Sequence, residues 1–488
     1  MASKMLLAIS TIKGVTKMAG KWMKLKNKAP FNVNTMLLLT DGSVMCQDGG
    51  GSGPSAGDIG TPNWWKLTPD KFGNYHDGTW SPLATGPNSP LFYASAVLRD
   101  GRVFVAGGEY NAGAPVDLLA AEIYDPVADA WTSIATPAGW TNIGDASCCV
   151  LPDGRVLLGN INDHRTAIYH PVSDTWSAGA LKNNPRVSEE TWTLLPDESI
   201  LTADCFGHPQ TEKYVIAANK WVTSGTTPVD LVKADTDEIG PAILLPDARV
   251  FAIGATGHTA LYTMPDVANE PGTWSTGPDF PAVGGIPIGA EDAPACLMPN
   301  GHVLCVAGPI NGDYLPPTYF FEFNPKTNHL HPVQAPGNNS RATFFSRMML
   351  LPSGHVMFAN GTNDVEIYMP GDDPESSWRP HVSDVPHHLL KGQTYELKGR
   401  QLNGLSQAVS YGDDATMATN YPLVQIRHEG SNVVHYCRTH DHSTMSVATG
   451  SIPQSTKFDV PLGIPSGKYH LTTVANGIHS EHVSVMVA

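Results

Sequence analysis

The stretch Ala94–Gly108, ASAVLRDGRVFVAGG, carries the pattern that decides the fold: an apolar strand, a polar turn at Asp100-Gly101, and a second apolar strand ending in a diglycine. Asp followed by Gly supplies the positive-φ chemistry of a tight hairpin. The flanking Val, Ala and Phe suit a pleated, buried surface. The pattern occurs seven times, with turn residues Asp41, Asp100, Asp153, Asp197, Asp247, Asn300 and Ser353. Their spacings of 59, 53, 44, 50, 53 and 53 residues match the period of a four-stranded propeller blade. Working outward, most turns are followed by an aromatic at the end of a third strand, as at Tyr124 and Tyr169. A Trp then opens a fourth, at Trp80, Trp131, Trp176, Trp221, Trp274 and Trp378; the sixth repeat runs instead through Phe321, Phe323 and Leu330. These aromatics are packing residues between blades.

Composition agrees. Gly 47 and Pro 40 among 488 residues, with only 16% charged, require frequent turns and leave little room for long solvated helices. Asp+Glu 46 against Lys+Arg 30 gives a net charge of −16, which argues against a nucleic-acid partner. No apolar run approaches the roughly 18 residues that span a bilayer, and the early run Met5–Ile9 is too short for a signal-peptide core. A soluble chain is expected, cytoplasmic or a mature secreted form. Seven cysteines, mostly within apolar strands and without a CxxC pair, indicate buried thiols rather than disulfides, a zinc ribbon or a redox motif.

Over about residues 20–385 the repeats resemble the kelch motif, best kept at Gly107, Gly108, Tyr124 and Trp131. Trp22 in GKWMKL reads as an outer strand ahead of the first blade, closing the ring by pairing amino- and carboxy-terminal strands. After Trp378 the pattern changes, and Tyr395–Ala488 reads as a small antiparallel sandwich. The expectation is an all-β chain: residues 1–30 an amino-terminal segment contributing a closing strand, 31–384 a seven-bladed kelch-type β-propeller, and 385–488 an immunoglobulin-like β-sandwich. This arrangement is similar to the galactose oxidase and glyoxal oxidase family of copper-radical enzymes. The resemblance implies a copper bound by a tyrosine cross-linked to a cysteine, a Tyr-His pair and a carboxy-terminal-domain histidine. Aligned on the hairpin turns, those places hold Tyr93, Asp145, Phe344, Phe345, Ser346 and, near the last, Met417. The copper-radical residues are replaced.

Another polar ring occupies the same mouth. Eleven residues after each turn residue stand Ser52, Asn111, His164, His208, His258, Asn311 and Asp364. Three successive histidines at one offset, beside the acidic residues Asp145, Glu189 with Glu190, Glu238, and Glu291 with Asp292, have the composition of a divalent transition-metal site. The expected metal ligands are His164, His208 and His258, and the metal is iron, zinc, manganese or copper. Asp145, Glu190, Glu238 and Asp292 are the candidate catalytic carboxylates that complete the shell or move protons. Tyr93, Trp140, Trp192, Phe206 and Phe345 are expected to wall a pocket for a small organic molecule or glycan. No phosphate loop, basic cluster or nucleophile elbow is present. A metal-dependent oxygenase, lyase or hydrolase leads. A non-catalytic glycan- or protein-binding propeller, and a copper oxidase using Tyr93 in a rearranged site, are the alternatives.

Overall fold

The computed structural model describes residues 20–51, 58–411 and 417–488; Ser52 of the expected polar ring lies outside them. The chain is all-β, with three short 3₁₀ turns as the helical segments among the described residues. Seven antiparallel sheets follow one another along the chain, each containing four strands in chain order, or three and a returning one; in the second, Tyr110–Asn111 and Ala114–Pro115 intervene and join Pro90–Leu91 in a separate small sheet. Their first strands are Val33–Leu38, Ala94–Val97, Cys148–Val150, Thr193–Leu194, Ala242–Leu244, Ala295–Leu297 and Arg347–Leu350. First strands touch in order within the first three sheets and within the last four, and the seventh touches the first. That arrangement is consistent with a β-propeller.

The hairpins form for the reason their sequence suggests. The Asp41, Asp100, Asp153, Asp197 and Asp247 carboxylates and the Asn300 amide oxygen each accept the backbone N–H two residues on, at 3.0 to 3.2 Å. The next residue adopts positive φ, including Glu198 (62°) and Ala248 (67°), where no glycine is available. Register puts the aromatics opposite one another, Tyr124 with Trp131, Tyr169 with Trp176, Tyr214 with Trp221 and Tyr262 with Trp274. The indole N–H of Trp131 and of Trp176 then bonds a carbonyl of the preceding outer loop, Ala84 or Ala135.

Lys21–Lys24 pairs antiparallel with Glu366–Met369 and completes the seventh sheet, so sequence-distant strands share one sheet. The carboxy-terminal sheet begins earlier than residue 385, because His381–Asp384 already pairs with Thr394–Arg400. Its strands wrap around a separate core that includes Leu397, Val424, Ile426, Phe458 and Leu471. This region sits against the hairpin ends, where Arg438 Nη2 bonds the Asp100 carbonyl at 3.0 Å and Ser446 Oγ bonds Glu198 at 3.1 Å. One segment of it reaches inward: Val409–Ser410 pairs with Ala295–Cys296 of the sixth sheet's first strand. No described helix is long and apolar enough to cross a membrane.

Candidate cation site

The residues leading into the first strands gather at the end opposite the hairpins. Phe92, Asp145, Glu189, Glu238, Asp292 and Phe344, one from each of the second to seventh sheets, line a single cavity of about 260 Å³. Glu109, Tyr110 and Tyr314 join them from segments that follow second strands, Tyr110 in the short strand Tyr110–Asn111, and Tyr411 from the carboxy-terminal segment. Five carboxylates and five aromatic rings thus form the wall, with no His, Cys, Lys or Arg among its described residues.

Within this wall, Glu189, Glu238 and Asp292 each bring an oxygen within 4.8 Å of the others. It is the one such group of three His, Cys, Asp or Glu side chains among the described residues. Tyr314 donates its hydroxyl to Glu238 Oε1 at 2.8 Å. Burial, then the charges of Asp292 and Glu238, push the Tyr314 phenol far above its ordinary range. Burial, followed by the Glu109 charge, pushes Tyr110 up to about 12. Both phenols therefore stay protonated and act as donors. Tyr411 donates to the Phe344 carbonyl at 2.8 Å, and the buried Arg347 guanidinium stacks on its ring at 4.0 Å. Left-handed backbone recurs here: Phe92 (φ 52°), Asp292 (43°) and Tyr314 (48°) line the cavity, while Ser188 (57°) and Asp237 (60°) precede Glu189 and Glu238. Such conformations persist only where the surroundings over-determine them, and they concentrate at functional sites.

Asp145, Glu238 and Asp292, expected from the sequence, lie in this cavity. Glu190 does not. It is fully buried with Lys182, whose ammonium bonds both of its oxygens, reaches Asp204 Oδ1 at 2.7 Å and lies 3.6 Å from Glu212 Oε2. In the segment ahead of Thr193–Leu194 these two neighbours part, Glu190 to the Lys182 cluster and Glu189 to the cavity, so Glu189 takes the place expected of Glu190. The signal was present: Asp145, Glu189 and Asp292 all stand eight residues before their turn residues, Asp153, Asp197 and Asn300.

The three histidines form no such group. His208 Nδ1 faces Asp230 Oδ1 at 2.9 Å, and the exposed His258 Nδ1 faces Asp279 Oδ1 at 2.9 Å. His164, half-buried, accepts the Lys182 backbone N–H at its carbonyl. All three sit between second and third strands. Each strand step carries a residue about 5 Å farther from the first strands, so an equal offset yields equivalent places without convergence. Asn111 and Asp364 are also engaged locally, with Ser89 and with Lys24 and Lys28.

The expected aromatic wall is likewise displaced. Tyr93 is fully buried with its hydroxyl on Gln47 Oε1 at 2.7 Å, and Trp192 packs on Trp221 in the core. Arg165 covers Trp140, Arg186 covers the exposed Phe206, and Arg341 lies over Phe345. Their chain neighbours Phe92 and Phe344 face the cavity instead. Glu109 and Tyr110 follow the second repeat's diglycine and could have been read from it, but Tyr314 and Tyr411 carry no repeat signal.

Fold and cavity define an all-β protein, consistent with a propeller, with an acidic and aromatic mouth. Neither a family model nor a curated protein matches the chain. Among solved structures it is similar to a fungal alcohol oxidase of the AA5 family in complex with copper, at 14% identity and a TM-score of 0.57, covering 96% of this chain and 100% of that one. Two Staphylococcus aureus virginiamycin B lyase structures, one a catalytically inactive form with quinupristin, are each 9% identical and cover 72% of this chain and 99% and 98% of theirs. Their TM-scores are 0.49 and 0.45. At these identities the likeness is one of fold.

Proposed function

We propose that this chain is a metal-dependent enzyme built on a seven-bladed kelch-type propeller with an immunoglobulin-like carboxy-terminal domain, acting on a small organic molecule at the propeller mouth. Its divalent cation is held by Glu189, Glu238 and Asp292 rather than by histidines. The observation that carries this reading is their convergence, from three successive sheets, to within 4.8 Å.

An all-oxygen donor set suits hard cations such as manganese, magnesium or calcium. When bound, the cation supplies Lewis-acid polarisation of a substrate oxygen. Copper, which the fungal oxidase carries, does not fit these donors: the lining offers no imidazole or thiolate among its described residues, the ligands that copper sites favour. Tyr314 holds Glu238 in place, and Tyr110 likewise bonds Glu109. Asp145 and Glu109, on the wall outside the converging trio, are the groups that would accept a proton.

The rings favour a second reading, in which the occupant is an organic ammonium. Five aromatic residues share the lining with the carboxylates, and Arg347 already stacks a cation on Tyr411 and lies 5.6 Å from the Phe92 ring. Calorimetric titration with Mn²⁺ and with tetramethylammonium separates the readings. One Mn²⁺ per chain, weakened at least about tenfold by Glu238→Gln, is expected. Tetramethylammonium binding without Mn²⁺ binding would transfer the site to the second reading.

A further inference from the structure

Behind two of the three converging carboxylates stands one lysine. Lys233 Nζ lies 2.9 Å from Glu291 Oε1 and 2.6 Å from Asp313 Oδ1, with Asp235 at 3.6 Å. The same Glu291 carboxylate accepts the Thr236 hydroxyl at 2.9 Å and the Tyr314 backbone N–H at 3.3 Å. Glu291 directly precedes Asp292, and Asp313 directly precedes Tyr314, the donor to Glu238. Asp292 and Tyr314 are also two of the left-handed residues on the cavity wall.

We propose that Lys233 is a positioning residue for the cation site, setting Asp292 through Glu291 and Glu238 through Asp313 and Tyr314. This rests on the carboxylate site proposed above. Lys233 is outside the cavity lining, so replacing it removes no ligand. It withdraws the charge that fastens two chain segments, each turned by one strained residue. An oxygen cage binds well only when its members are held in place by the groups behind them.

A purely structural lysine would change the melting temperature and leave the ion's surroundings intact. A positioning lysine changes both affinity and coordination. The test uses the full chain and Mn²⁺, read by calorimetry and by electron paramagnetic resonance of the bound ion. Lys233→Met is expected to weaken Mn²⁺ binding about ten- to a hundredfold and to alter the spectrum of the ion that still binds, and Lys233→Arg to restore most of both. Asp313→Asn, at an exposed side chain, folds regardless and is expected to weaken binding several-fold through Tyr314. Wild-type affinity and spectrum in folded Lys233→Met, or in Asp313→Asn should Lys233→Met fail to fold, would overturn the role while leaving the site standing. A wild-type chain that binds no Mn²⁺ overturns site and role together.

Discussion

The cavity at the strand ends and the ion cluster around Lys182 lie back to back, joined by the peptide between Glu189 and Glu190. Both are rich in carboxylates, yet they solve opposite problems. In the cluster three acids, Glu190, Asp204 and Glu212, close on one ammonium, with side-chain exposures of 3% or less and 0% for Lys182 itself. Thr202 Oγ1 adds a bond to Glu190 at 2.5 Å, and the Trp221 ring lies 5.2 Å from the ammonium. In the cavity five acids share the wall with five aromatic rings, and the Lys233 ammonium that bonds Glu291 lies outside that lining. An internal cation makes a structural core of one set. The other set has no Lys, Arg or His among its described lining residues, and the cation that meets it is the Arg347 guanidinium stacked on the Tyr411 ring.

The largest effect should come from breaking the closed side of this comparison. Lys182→Met leaves three buried acids without a counter-charge and is expected to cost about 3–5 kcal/mol, measured by urea unfolding. A loss below about 1 kcal/mol would show that the cluster is not the anchor described. A smaller effect should appear with pH. Burial, then the Asp204 charge, raises the Glu212 carboxyl above its ordinary 4.5. The folded chain therefore keeps a proton that the unfolded chain releases above that value. The resulting stability is present at low pH and lost as pH rises through the raised value, with a slope of at most about 1.4 kcal/mol per pH unit. Glu212→Gln should flatten that slope in urea midpoints taken from pH 4 to 9; an unchanged slope would assign the proton elsewhere.

The smallest effects should come from the outer histidines. His208→Ala and His258→Ala are expected to leave stability within about 0.5 kcal/mol and Mn²⁺ affinity unchanged in calorimetry. A loss of binding in either would restore imidazole to the site and blur the contrast between wall and rim.

The hairpin period made the sheets legible, because Asp-Gly turns and alternating apolar residues act over a few neighbours in the chain. The acidic ring was legible too: Asp145, Glu238 and Asp292 could be placed by counting back from their turns. Counting failed at Glu190 because a step of one residue exchanges cavity for core. It failed differently at His164, His208 and His258, where the offset was right but each place lay one or two strands outward. Tyr93 and Phe345 erred by a single residue from Phe92 and Phe344, where a left-handed residue between strands and a 3₁₀ turn, rather than strand alternation, set which ring faces the cavity.

Local pattern therefore determined the elements, their repetition and the acidity of one end, since each depends on side chains close in sequence. Only the assembled chain decided which carboxylates share a centre, which one is given to Lys182, and that Tyr411 from the carboxy-terminal region joins the wall. Those outcomes depend on distances in the assembled fold, between residues from eight positions apart, as for Lys182 and Glu190, to hundreds, which no turn, strand or period encodes.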